Sequence, residues 1–202
     1  MRPTPVWVRG VATALSASAI LSGALGCPRI VLSTDSHVDA DVYVLDPFLT
    51  TGQDVADLRA RGHRAFCRLE AGVWEPARPD AARFDAAVLG AATGAVDGSR
   101  WLDTRRWTAL APILADRLML CRVKGFDGVL AEHADGYARP TGFPIDLSAQ
   151  RSFNRAFAAV ARSNGLRVGL AAEPALASTL AADFDFTVGD AGSEGRSTTS
   201  GS

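Results

Sequence analysis

The sequence predicts an α/β fold, a parallel sheet covered by helices. Two observations carry this. Short runs rich in β-branched and aromatic residues recur along the chain, and stretches with helical periodicity lie between them. The apolar share of 48% against 21% charged residues also gives the 202-residue chain enough material for a core, which a disordered chain lacks.

The strand-like runs are Ile30 to Leu32, Val42 to Leu45, Ala65 to Leu69, Phe126 to Leu130, Val168 to Leu170 and Phe184 to Val188. A seventh, around Trp101 to Asp103, is short. Thr51 to Ala60 and Asp80 to Leu89 read as short helices. Leu110, Ile113, Leu114, Leu118 and Cys121 recur at three- and four-residue spacing and share one helix face. Pro112 is expected in or near the first turn of that helix, where its missing N–H costs little. Asp146 caps the next helix, Phe153, Phe157 and Val160 form its stripe, and Asn164-Gly165 stops it.

The chain ends are read separately. Arg2 and Arg9 precede an uncharged Ala/Ser/Leu-rich run that closes on Ala24-Leu25-Gly26-Cys27. This is the layout of a secretory signal peptide over residues 1–26, with an uncleaved anchor as the alternative. The closing tetrapeptide is similar to a bacterial lipobox, so Cys27 is either lipidated or an ordinary residue near a cleavage site. The expected location is extracytoplasmic, secreted or held by a lipid anchor. Residues 28–190 form the folded domain, and the Gly/Ser/Thr-rich stretch 191–202 is expected to be a disordered tail.

Twenty Arg, one Lys, 17 Asp and five Glu leave a net charge of −1, and losing Arg2 and Arg9 makes it −3. That balance excludes a typical nucleic-acid binder. Three Cys without CxxC spacing exclude a zinc scaffold and a disulfide framework, although a Cys67–Cys121 bridge stays open. No metal or cofactor is expected. In parallel α/β folds chemistry gathers at the C-terminal ends of strands. Asp46, Glu70, Asp103, Glu132, Asp135, Glu173 and Asp190 all follow strand-like runs, which suggests an acid-lined mouth. Trp74 and Trp107 are candidates for stacking on sugar rings, or for packing.

Several motifs stand in order: Cys67 with Ala71-Gly72, Glu75 and Arg78-Pro79-Asp80; Trp101-Leu102-Asp103-Thr104-Arg105; Lys124-Gly125-Phe126-Asp127-Gly128-Val129; Asp135-Gly136-Tyr137; Thr141-Gly142-Phe143-Pro144. Asn154-Arg155, Val168-Gly169-Leu170 and Phe184-Asp185-Phe186 continue the series. Together they resemble glycoside hydrolase family 114 over about residues 29–190. The resemblance implies a (β/α)₈ TIM-barrel fold and endo-α-1,4-polygalactosaminidase activity on an amino-sugar polymer, with no cofactor. Family members continue into an eighth strand, so an incomplete barrel of about seven strands is expected, with open edges that invite self-association.

The departures from the family pattern fall in the pocket. The family's EPDN becomes Leu130-Ala131-Glu132-His133, which puts its catalytic Asp on Glu132. Its NEQC becomes Gly189-Asp190-Ala191-Gly192, which puts its catalytic Glu on Asp190. Its KND becomes Ala171-Ala172-Glu173, and its Tyr and Ser at the third strand become Arg68 and Glu70. Paired carboxylates suit glycosidic cleavage, one giving a proton and the other attacking or activating water. The resemblance thus makes Glu132 and Asp190 the catalytic candidates. Asp46, Glu70, Asp103, His133, Asp135, Tyr137 and Glu173 are substrate-binding candidates. The alternative is a catalytically inactive barrel that binds carbohydrate or a protein partner at the same mouth.

Overall fold

The computed structural model describes residues 30–31, 40–95 and 97–189. The signal segment, Cys27, Leu32, Asp190 and the tail 191–202 lie outside the described residues.

Among the described residues nine strands and four helices follow in order: β1 Ile30–Val31, β2 Val42–Leu45, α1 Gly52–Ala60, β3 Arg64–Glu70, β4 Val73–Trp74, β5 Leu89–Ala92, β6 Arg100–Leu102, α2 Trp107–Val123, β7 Gly128–Glu132, α3 Leu147–Ser163, β8 Arg167–Ala172, α4 Pro174–Leu180 and β9 Phe186–Gly189. Six strands form one parallel sheet in the order β1-β2-β3-β7-β8-β9. Among the described residues no pairing joins β1 to β9, so the barrel is open, as expected.

Local chemistry sets the start of α1 and both ends of α3. Thr51 caps α1 in a reciprocal capping box with Asp54. The Asp146 carboxylate accepts from the Ala149 N–H at the start of α3, and Gly165 takes φ +73° just past its end. Carboxylates also hold strands together at their N-terminal ends. Asp127 accepts from the Ala65 N–H, and Asp185 from the Val168 N–H.

Two cores lie on opposite faces of the sheet. The outer one packs Ala65, Cys67, Leu69, Val129, Val168 and Leu170 against Leu110, Leu114 and Leu118 of α2 and Phe153 and Phe157 of α3. The inner one joins Val42, Val44, Phe66, Leu130 and Val188 on the concave face. Phe66 of β3 and Phe186 of β9 meet there at 5.3 Å between ring centroids, although two strands separate them. A flat sheet would hold them roughly 14 Å apart, so the sheet is strongly curled. Gly128 and Gly169 make the approach possible, because a Cβ at either would press into one of these rings.

Three expectations need correction. Trp101 does not begin a barrel strand: β3 pairs directly with β7, so the parallel sheet has six described strands. Its segment, β6, is instead taken by Val73–Trp74 and Leu89–Ala92 into a three-stranded antiparallel sheet, β4-β6-β5. The Asp80 to Leu89 helix is two 3₁₀ turns, Ala81–Arg83 and Ala86–Val88, followed by β5. Asp85 interrupts it, since its side chain bonds the Ala87 N–H and starts a new turn. Pro112 lies inside α2, past the first turn; both it and Thr108, whose carbonyl loses its partner, are exposed to water.

Cys67 of β3 and Cys121 of α2 are fully buried and form a disulfide, with Cα atoms 5.9 Å apart. It ties the sheet to its covering helix.

Candidate active site

The site forms where β3 and β7 end side by side. Parallel register places Glu70 opposite Glu132. Strand alternation puts both on the concave face with Arg68 one step below. The ladder continues beyond them, because the Ala71 N–H donates to the Glu132 carbonyl. The chain then turns at His133, whose φ of 54° is the one positive value among the described non-glycine residues. Gly72 faces this turn, and a Cβ there would collide with the His133 carbonyl. From behind, the buried Asn154 of α3 donates to the Ala134 carbonyl and is itself held by Gln150.

Three ionisable groups therefore meet. His133 Nδ1 lies 2.5 Å from Glu70 Oε2, and Arg68 Nε lies 3.8 Å from Glu132 Oε2. Burial pushes Glu132 up, the adjacent Glu70 charge pushes it further, and Arg68 opposes only in part; its pKa reaches about 8. Burial would also raise Glu70, but the hydrogen bond from His133 and its charge win and hold Glu70 low. Burial would lower His133, but Glu70, Glu132 and Asp135 outweigh it and raise it to about 9. Near neutral pH the arrangement is a neutral Glu132, an ionised Glu70 and a protonated His133 donating to Glu70.

The ligand-type atoms of Glu70, Glu132 and His133 lie within 4.8 Å of one another. The expectation of no metal did not foresee this grouping, in which the fold sets two carboxylates beside His133. Protein cations lie beside both carboxylates, His133 on Glu70 and Arg68 at 3.8 Å from Glu132.

A cavity of about 320 Å³ opens beside the trio. Its walls include Glu70 and His133 from the barrel mouth, Glu75, Arg139, and Trp101, Asp97 and Ser99 from the small sheet and its β5–β6 loop. Trp101 is buried and packs edge-on to the His133 ring at 5.4 Å.

The other candidates are placed as follows. Asp46 pairs with Arg78 at 2.6 Å, and Arg78 also holds Glu75 at 2.6 Å. Asp103 is buried against Arg105, which lowers its pKa, and it organises the turn before α2. Asp135 is buried against Arg139, which also reaches Glu173 at 3.4 Å. Tyr137 packs on the outer core, and Glu173 is half-exposed at the start of α4. Of the named candidates, Glu70 and His133 line the cavity, and Glu132 adjoins them. Trp74 donates to the Ala81 carbonyl and Trp107 packs on Phe153, so both are packing residues. Sequence reasoning missed Arg139, Asp97, Ser99 and the role of Trp101. The signal for Trp101 was its place at the head of the WLDTR motif.

The family model for glycoside-hydrolase family GH114 matches residues 21–198. No curated protein matches the chain. Among solved structures, Aspergillus fumigatus Ega3 in complex with galactosamine superposes with a TM-score of 0.72 and 27% identity, covering 79% of this chain and 64% of that one. The glycoside hydrolase domain of PelA from Pseudomonas aeruginosa gives a TM-score of 0.49 and 20% identity, covering 65% of this chain and 52% of that one. This chain thus spans less than two thirds of the length of either.

Proposed function

The chain belongs to glycoside-hydrolase family GH114, and from that membership we propose that it is an exported O-glycosyl hydrolase acting on α-1,4-linked galactosamine-type polysaccharide. One observation carries the catalytic reading. Glu132, on which the resemblance puts the family's catalytic Asp, ends β7 with a pKa raised to about 8. A carboxyl that stays neutral at neutral pH is what a general acid requires.

In the reaction, Glu132 gives its proton to the glycosidic oxygen as the C1–O bond breaks, and the leaving chain departs as an alcohol. A second carboxylate attacks C1, or removes a proton from the water that does, and one water is consumed overall. The resemblance makes Asp190 the other member of the catalytic pair, and with Glu132 as the acid the second role falls to it; Asp190 lies outside the described residues. Asp97 on the cavity wall suits an amine of an amino-sugar chain. Export rests on Arg2, Arg9 and the uncharged run to Cys27; a disulfide between Cys67 and Cys121 is compatible with it.

The rival reading is a barrel that binds this polymer without cleaving it. It draws on the cavity wall, which Glu70 and His133 form and Glu132 does not. The experiment measures reducing-end release from α-1,4-galactosamine polymer, beside binding to the same polymer. The expected result is release by the wild type, a loss of at least ~100-fold in Glu132→Gln, and binding unchanged within a few-fold. Binding without release in the wild type establishes the rival.

A further inference from the structure

We propose that Glu70 and His133 form a positioning pair that keeps Glu132 in its proton-bearing form, with Glu70 as the fixed negative charge and His133 as the cation that maintains it. The inference rests on the catalytic reading of Glu132 and names what controls that residue.

The geometry carries it. Register sets Glu70 directly across from Glu132 at the end of adjacent parallel strands, and the two carboxyls come within 4.8 Å of each other. Two carboxylates so placed do not both ionise unless a cation intervenes. His133 decides which one ionises, since its Nδ1 sits on Glu70 Oε2 at 2.5 Å. The His133 backbone takes the left-handed conformation at this turn, and the Trp101 edge packs against the imidazole. The imidazole thus has a built seat over Glu70. The neutral Glu132 then donates to the ionised Glu70, consistent with the raised and lowered pKa values of the two.

The other charged groups near the trio have been weighed. From β3, Arg68 lies 3.8 Å from Glu132 and works against its neutral form, as the His133 charge does directly, so His133 favours the proton on Glu132 only through the charge it holds on Glu70. Beyond β7, Asp135 acts on His133 and is neutralised by Arg139 at 2.6 Å. No other charged group among the described residues acts directly on Glu132 as strongly as Glu70 does. Glu70 and His133 stand where the family pattern has Ser and Asn, so the pair belongs to this chain's own version of the mouth.

The test is the alkaline limb of kcat on galactosamine polymer, measured for wild type, Glu70→Gln and Glu70→Asp. The Gln variant keeps the shape and removes the charge. Its limb should move down by about one pH unit. The ratio of kcat at pH 8 to kcat at pH 5.5 should then fall about fivefold. The Asp variant, which restores the charge, should recover most of the limb. A purely structural role for Glu70 would lower kcat equally at both pH values. Infrared spectroscopy supplies a readout that needs no turnover. A neutral carboxyl band present at pH 7, lost in Glu132→Gln, should titrate at lower pH in Glu70→Gln. An unchanged limb and band in Glu70→Gln overturn the pairing. An inactive wild type whose band still shifts overturns the hydrolase reading and leaves the pair standing.

Discussion

Arg117 is the test case for what ties α2 to the segment between β4 and β5. Its side chain is 1% exposed, and two guanidinium nitrogens each lie 2.8 Å from an Asp80 oxygen. The guanidinium also faces the Phe84 ring at 5.3 Å and the Phe48 ring at 5.6 Å. Replacing it in Arg117→Met keeps most of the volume and strands the Asp80 carboxylate, which is only 14% exposed. Breaking a buried pair from one side costs roughly 3–5 kcal/mol. Asp80 keeps some contact with water, so the lower end applies, about 3 kcal/mol at pH 7.

The pH dependence has a definite sign. Arg117 outweighs burial and lowers the Asp80 pKa in the folded state. The stability from this pair is therefore fully present above the unfolded Asp value near ~3.9. It is lost as pH falls through the lower folded value. Urea denaturation of wild type and Arg117→Met at pH 7 and at pH 2.5 should show a gap that shrinks to about 1 kcal/mol in acid. Adding Asp80→Asn to Arg117→Met should recover about half the loss at pH 7, because no stranded charge remains. A gap below ~1 kcal/mol at pH 7, or an equal gap at both pH values, refutes the reasoning.

Three further outcomes are expected. Gly72→Ala puts a Cβ into the His133 carbonyl; it should cost about 2 kcal/mol and lower Tm by roughly 4–8 °C, and an unchanged Tm would show that the turn yields freely. The Cys67–Cys121 bridge closes a loop of 54 residues in sequence separation, so the double Ser variant should lose about 4 kcal/mol against denaturant. Mass spectrometry of the protein recovered from a bacterial host should find that bridge intact and a mature N-terminus at or near Cys27; free thiols at both positions, or an intact Met1, would count against export.

Periodicity made much of the scaffold legible. The helix faces of α2 and α3, the Asp146 cap and the Asn164-Gly165 stop depend on contacts within a few residues, so they are written locally. The central strands were legible for the same reason, because β-branched residues buried on both faces leave a continuous apolar run. Trp101 was misplaced because a three-residue strand has no period to read, and its partners, Val73–Trp74 and Leu89–Ala92, decide its sheet.

The site divides along the same line. Sequence alone determined that Glu132 follows a strand and that acids cluster at strand ends, since both are matters of position along the chain. It also placed Glu70 and His133 among the candidates, one by one. Only the tertiary structure decided that these three meet at one place, while Asp46, Asp103 and Asp135 each pair with an Arg. The reason is physical. Whether a carboxylate serves as an anchor or an acid depends on which charge lies within a few ångströms and how much water remains. At Glu70 and Glu132 that is set by the β3–β7 register, which brings together residues 62 positions apart.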